Sequence, residues 1–239
     1  MKICVIHGSP RKGNNFKVIE LFKKNLLKFG DIEFTDFFLP KDMPHFCIGC
    51  YNCIEKSEEK CPHFSYMKPI TETLKEADAF IFSSPVYVLA ESGGMKALLD
   101  HFGYMFIPHR PVEEMFSKVG IVISTAAGSG NKYPLNSMKR NLSFWGLKRV
   151  LKMGFSILAK DWEDMNIKRQ KKFENIIEKK AKKFYSLIEK RNELSVRPFT
   201  KIMFFFMKKM ISNYNEDSRD KIYWKEKGWL SSSKKPYKK

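Results

Sequence analysis

The chain has 239 residues, 43% of them hydrophobic, enough for one full core plus an extension. Its start, MKICVIHGSP, shows no secretory-signal layout, and no apolar run nears the roughly 20 residues that span a bilayer, so a cytoplasmic protein is expected. The net charge of +18 is carried mainly by Lys, with only eight Arg and no nucleic-acid recognition motif, and is read as composition bias rather than a nucleic-acid surface.

Residues 2 to 7 form a short apolar strand ending in Gly8-Ser9-Pro10. From Asn14, apolar residues at 18, 22, 26 and 29 predict a helix, with Gly30 as its stop. Ile32 to Leu39 reads as a second strand, and a polar, cysteine-rich excursion follows. Pro69–Ala77 fits a helix, and Ala79–Phe82 a strand buried on both faces. Gly94–Phe102 predicts a helix, Val119–Ile123 a buried strand, Leu135–Trp145 a helix and Arg149–Ile157 a last strand. Ile167 to about Arg191 is a long amphipathic helix. Five strands alternating with helices predict an α/β fold, a doubly wound five-stranded parallel sheet, followed by a helical C-terminal extension. Residues 1–191 are read as one domain with a cysteine-rich insertion at 44–66, and residues 192–239 as a basic, aromatic extension.

Three loops leave carboxyl ends of these strands. GSPRKGNN, residues 8–15, lacks the Gly-Lys-Ser/Thr of a Walker A loop and the G-x-G-x-x-G of a dinucleotide fingerprint. What remains is a phosphate cradle at a helix N-terminus, with Ser9, Arg11, Asn14 and Asn15 as donors. The second loop, in SSPVYVLAESGGMKALLDHF, offers Pro85 to stiffen the turn and the flat ring of Tyr87. The third, STAAGSG at 124–130, lets a planar ring approach backbone amides. Together, at one rim of a parallel sheet, they describe a site for a ring with a phosphorylated tail.

At these segments the sequence resembles the NADPH-dependent FMN reductase-like flavoproteins, in order and spacing over roughly residues 1 to 160. The resemblance implies a flavodoxin-like fold, tightly bound FMN, NAD(P)H as co-substrate and a homodimer. By that analogy Ser9, Arg11, Asn14, Asn15 and the Phe16 amide hold the phosphate. Pro85, Val86 and Tyr87 border the isoalloxazine, with Thr125, Ala126, Ala127 and Gly128 on its other edge. The family commonly has Asp-Arg after the MKALLD-type stretch, whereas Asp100 here precedes His101, so that arginine's role is not carried over. His109 and Arg110 are nearby basic residues, expected in a plain surface loop.

Cys47, Cys50 and Cys53 follow C-x2-C-x2-C spacing, and Cys61 completes the set before Pro62. The spacing suits a cubane cluster, and the pattern resembles the compact cysteine motif of iron–sulfur flavoproteins. The residues leave three readings open: a [4Fe-4S] cluster, a structural zinc, or cysteines retained without metal. Cys4 falls in the first strand and is read as a small buried residue. In the extension, SVRPFTKIMFFFMKKMI is expected to pack on the domain or a second subunit and bury Phe204 and Phe205, rather than lie on a membrane. Tyr223, Trp224 and Trp229 are expected to dock, and SSSKKPYKK to be mobile.

The leading expectation is an FMN-dependent oxidoreductase that takes electrons from reduced nicotinamide to a quinone, nitro compound or other small acceptor. The second is an iron–sulfur flavoprotein exchanging electrons with a protein partner such as ferredoxin. The third is a basic nucleic-acid or membrane-binding module. No catalytic residue is assigned, because hydride transfer to a flavin needs no side-chain acid or base.

Overall fold

Five strands make one parallel sheet: β1 (Lys2–His7), β2 (Glu33–Phe38), β3 (Ala79–Pro85), β4 (Val119–Ala126) and β5 (Arg149–Ser156). Their order is β2-β1-β3-β4-β5, the doubly wound flavodoxin-like arrangement, with the direction of winding reversing between β1 and β3. The structure, a computed structural model, describes residues 1–231 and 234–237.

Side chains alternate across the sheet and feed two cores. Ile3, Val5, Ile81, Ile121 and Ile123 face α1 (Asn14–Leu26) and α6 (Ile167–Glu189), which contribute Val18, Phe22, Ile177 and Phe184. Cys4, Ile6, Phe80, Phe82 and Val122 face the other layer, α3 (Phe64–Glu76), α4 (Gly93–His101) and α5 (Lys132–Phe144). Burial pushes the Cys4 thiol far above its ordinary range, so it is an inert packing group. Every residue of β4 is buried, as a central parallel strand requires.

Two local expectations need correction. The helix expected to start at Pro69 begins at Phe64, and Pro69 lies inside it. Burial of Met67 and Ile70 on one face offsets the hydrogen bond that proline cannot donate. Gly30 does not take a left-handed conformation as a helix stop; a Cβ there would meet the Tyr185 hydroxyl at 2.5 Å, so the glycine leaves room for the tip of that side chain.

The extension forms α7 (Pro198–Ser212) and α8 (Arg219–Glu226). They build a third core, in which Phe204, Met207, Ile211, Trp224 and Trp229 close on Ile107 and Phe116. Phe205 is exposed, against expectation, because it lies a third of a turn from Phe204 and faces away from that core. Tyr237 also packs, on Phe116 and Phe204, so the end of the chain is not uniformly loose. Ser232, Ser233, Lys238 and Lys239, part of the stretch expected to be mobile, lie outside the described residues. Among the described residues no helix is long and apolar enough to cross a membrane.

Candidate functional site

The three loops are tied into one rim by hydrogen bonds that also explain their small residues. Gly8 N donates to Ser83 O at 2.7 Å, and a Cβ on Gly8 would sit 2.6 Å from that oxygen. Ser92 Oγ donates to Gly8 O and accepts from Met95 N at 3.2 Å, capping α4 while holding the first loop. Val86 N donates to Thr125 O at 2.9 Å and joins the second loop to the third.

Between them lies an open cavity of about 260 Å³. Ser9, Arg11, Asn14 and Asn15 line it from the first loop, Pro85, Val86 and Tyr87 from the second, and Thr125, Ala126 and Ala127 from the third. Phe16 and Gly128 are not in the lining; the Phe16 ring packs against His7 and Phe38 instead. The first intrahelical bond of α1 is Lys17 N to Gly13 O, so the amides of Asn14, Asn15 and Phe16 precede it. Gly13 offers no side-chain cap and the first turn holds no acid, which leaves this end electropositive.

Ile157, Ala159 and Lys160 also line the cavity and were not foreseen. They leave β5 at the same rim, where Ile157 N and Leu158 N donate to Ala126 O and Ala127 O, both at 2.8 Å. Position at a strand's carboxyl end was the available signal. Asn14 Nδ2 donates to Lys160 O at 2.9 Å, and Arg11 lies 3.4 Å from Asp161. Among the described residues no carboxylate lines the cavity. Its donors, cations and flat small-residue wall fit a phosphorylated ring compound, and its small volume leaves part of such a ligand open to solvent. Tyr87, Val88 and Leu89 form an exposed apolar lip at this opening.

The cysteine loop rises from the carboxyl end of β2 and carries α2 (Asn52–Glu55). Cys47 and Cys50 are exposed, Cys53 and Cys61 half-buried. Burial raises the Cys53 thiol, and Cys61, Cys47 and Cys50 raise it further while Arg110 opposes them. Cys61 is raised by burial and by Cys50 and Cys47, against a hydrogen bond from the His63 backbone. The four thiols therefore share one electrostatic neighbourhood. Four thiolates on one zinc would stand about 3.8 Å apart. Among the described residues, the only group of three or more metal-ligand atoms within 4.8 Å of one another is Cys61, His63 and His101. No three of the four cysteine sulfurs lie that close together, and the one that meets other ligand atoms is that of Cys61, beside the two histidines.

Arg110 is not in a surface loop as expected. Its side chain is 3% exposed and paired with Asp220 of α8, because the segment between α4 and β4 is covered by the extension. His101 is likewise buried; its ring bonds Ala97 O at 2.7 Å and His63 at 2.9 Å.

Residues 1–162 match the family model described as NADPH-dependent FMN reductase. The chain belongs to that family. An iron-sulfur flavoprotein of Archaeoglobus fulgidus is 28% identical over 234 residues, covering 96% of this chain and all of that protein. An iron-sulfur flavoprotein of Methanocaldococcus jannaschii is 34% identical over 128 residues, covering 53% of this chain and 63% of that protein. A solved FMN-dependent NADH-azoreductase from Bacillus anthracis, in complex with FMN, aligns with a TM-score of 0.60 at 12% identity over 77% of this chain and all of its own, a likeness of fold. As a family member the chain is a flavoprotein oxidoreductase with FMN as cofactor and NAD(P)H as co-substrate.

Proposed function

We propose that this FMN reductase family member is an iron–sulfur flavoprotein, with FMN on the β1–β3–β4 rim and a [4Fe-4S] cluster on Cys47, Cys50, Cys53 and Cys61. The observation that carries the proposal is one surface loop bearing four cysteines, Cys47, Cys50 and Cys53 at C-x2-C-x2-C spacing and Cys61 beyond them, all exposed or half-buried. The full-length similarity to an iron-sulfur flavoprotein supports it. Such a pair of cofactors links two-electron donors to one-electron carriers, and bound FMN supplies the hydride and electron chemistry.

The protein's residues bind and orient. Ser9, Arg11, Asn14, Asn15 and the amides opening α1 hold the phosphate by charge-assisted hydrogen bonds. Pro85, Val86 and Tyr87 wall one side of the ring, and the Thr125–Ala127 backbone supplies donors on the other. None of these side chains is needed to move a proton.

The test is anaerobic purification followed by spectroscopy and metal analysis. About four iron and four sulfide per chain, with broad absorption beneath the flavin bands, are expected. Replacing Cys47, Cys50 and Cys53 together with Ser abolishes iron and sulfide while FMN stays bound. Flavin bands alone, with no iron taken up on reconstitution, refute the proposal. That outcome favours the second reading, a plain NAD(P)H oxidoreductase acting on a quinone, nitro compound or other small acceptor. The solvent-open cavity with its apolar lip favours this reading, since a second planar molecule can lie there.

A further inference from the structure

α2 cannot hold itself together. It is a single turn with no buried residue, it follows Tyr51 in a left-handed conformation, and no side chain caps its start. One turn of helix is far below the length that is stable alone. Its last carbonyls have no helical partners and need donors from elsewhere.

Arg110 supplies them. Nη1 donates to Ile54 O at 3.1 Å and Nη2 donates to Cys53 O. Nη1 also donates to Asp220 Oδ1 at 2.7 Å, and Glu58 of the cysteine loop lies 3.7 Å from Nη2. A guanidinium at the carboxyl end of a helical turn is favourable in charge as well as geometry. Asp220, itself buried, pairs through its other oxygen with His109 Nδ1 at 2.8 Å. Two more bonds from α8 grip the same strip of backbone. Trp224 Nε1 donates to His109 O at 2.6 Å, and the Tyr223 hydroxyl donates to Pro111 O at 2.8 Å.

We infer that Arg110 and Asp220 are positioning residues that make the C-terminal extension a clamp on the cysteine loop: α8 fixes Arg110, and Arg110 fixes the turn carrying Cys53. The clamp rests on these contacts alone; its effect on redox properties rests on the cluster proposed above. Arg110 adds a buried positive charge beside a centre built of thiolates, and so favours the more negative, reduced form of that centre.

The experiment compares Arg110→Met, Arg110→Lys and Asp220→Asn with the unaltered full-length chain. In cluster-free, FMN-loaded protein, the alkylation rate of the Cys53 thiolate, taken from the plateau of the rate's pH profile, is followed by peptide mass spectrometry. A rise of about tenfold is expected in Arg110→Met and Asp220→Asn, as the turn opens more often. Arg110→Lys restores protection only in part, because an ammonium cannot span both carbonyls and the carboxylate as a planar fork does. FMN content stays at one per chain in all variants, since neither residue lines the flavin cavity. In cluster-loaded protein, Arg110→Met lowers the cluster's midpoint potential relative to the unaltered chain. Alkylation rates within about twofold of the unaltered chain, in variants that keep FMN, overturn the clamp. Should Arg110→Met fail to retain FMN, Asp220→Asn and Arg110→Lys decide by the same rates. Should the unaltered chain take up no iron, the cluster reading falls and the alkylation rates still decide the clamp.

Discussion

The apolar lip beside the flavin cavity stores backbone strain that one substitution can release. Tyr87 N donates to Ala90 O at 2.9 Å and Ala90 N to Tyr87 O at 3.0 Å, closing a two-residue turn over Val88 and Leu89. Their φ values are +48° and +60°, the positive pair of a type I′ turn, which favours Asn-Gly. An L-residue in that region costs about 1–2 kcal/mol, and a β-branched one is a marked outlier. Val88 is 99% exposed, so Val88→Asn relieves the backbone and forfeits no packing. Asn tolerates this region better than Val but keeps part of the cost, so a stabilisation of up to about 1 kcal/mol follows, or about 2–4 °C in Tm for a chain of this size. Leu89 is different, because its Cδ2 would stand 3.0 Å from a Cβ on Gly130 and so fills space beside the third loop. For Leu89→Gly, the lost contact and the flexibility of unfolded glycine offset the relief, and the expected change is near zero. Calorimetry of FMN-free protein reads both effects without ligand linkage. An unchanged or lowered Tm for Val88→Asn, with FMN binding intact, refutes the strain argument.

Other perturbations test other levels of the structure. Arg11→Ala is expected to weaken FMN binding about tenfold, the worth of one exposed charge-assisted hydrogen bond, in a fluorescence-quenching titration. An unchanged Kd would leave Arg11 only its pairing with Asp161. Burial raises the carboxyl pKa of Asp36, but hydrogen bonds from His7 and Lys23, each 2.6 Å, outweigh it and hold the pKa below the ordinary 3.8. Its contribution is therefore complete above the unfolded value and lost as pH falls through the folded one. Asp36→Asn should flatten the decline of urea midpoints below about pH 4, and an unaltered slope counts against the assignment. Phe204 is 1% exposed and stacked on Trp224 at 4.6 Å, whereas Phe205 is 68% exposed. In urea unfolding Phe204→Ala should cost about 3–5 kcal/mol and Phe205→Ser less than about 0.5 kcal/mol; equal losses would place α7 differently.

Strands and the loops that line the rim cavity were legible because their signals are local and repeated. Ile3 to Ile6, Ala79 to Phe82 and Val119 to Ile123 are continuous apolar runs, which only a strand covered on both faces explains. Once the strands are placed, their carboxyl ends converge by topology, and ten of the twelve residues expected at the flavin site line one cavity. Phe16, expected through its amide, does not line the cavity although Gly13, which has only backbone to offer, does. Lys160 and Ala159 were missed because the exit from β5 carries no glycine-rich turn to attract notice.

Arg110 was illegible for a different reason. Nearby sequence gives the guanidinium the Tyr104 ring, 5.9 Å away, but its carboxylate is 110 positions later and its acceptor carbonyls at least 56 positions earlier. A charge is tolerated at 3% exposure only when paired and hydrogen-bonded, so Arg110, Asp220 and the Cys53–Ile54 carbonyls stand or fall together. That dependence links the two parts of the chain whose purpose the sequence left open. The cysteine loop lacks a core of its own, and the extension buries its aromatic residues on the segment that carries Arg110. Cys53 and Cys61 pack only partly on the main core and Cys47 and Cys50 are exposed, so burial alone does not order the insertion. Order imposed from behind, through backbone carbonyls, leaves the sulfurs accessible and the turn beneath them fixed.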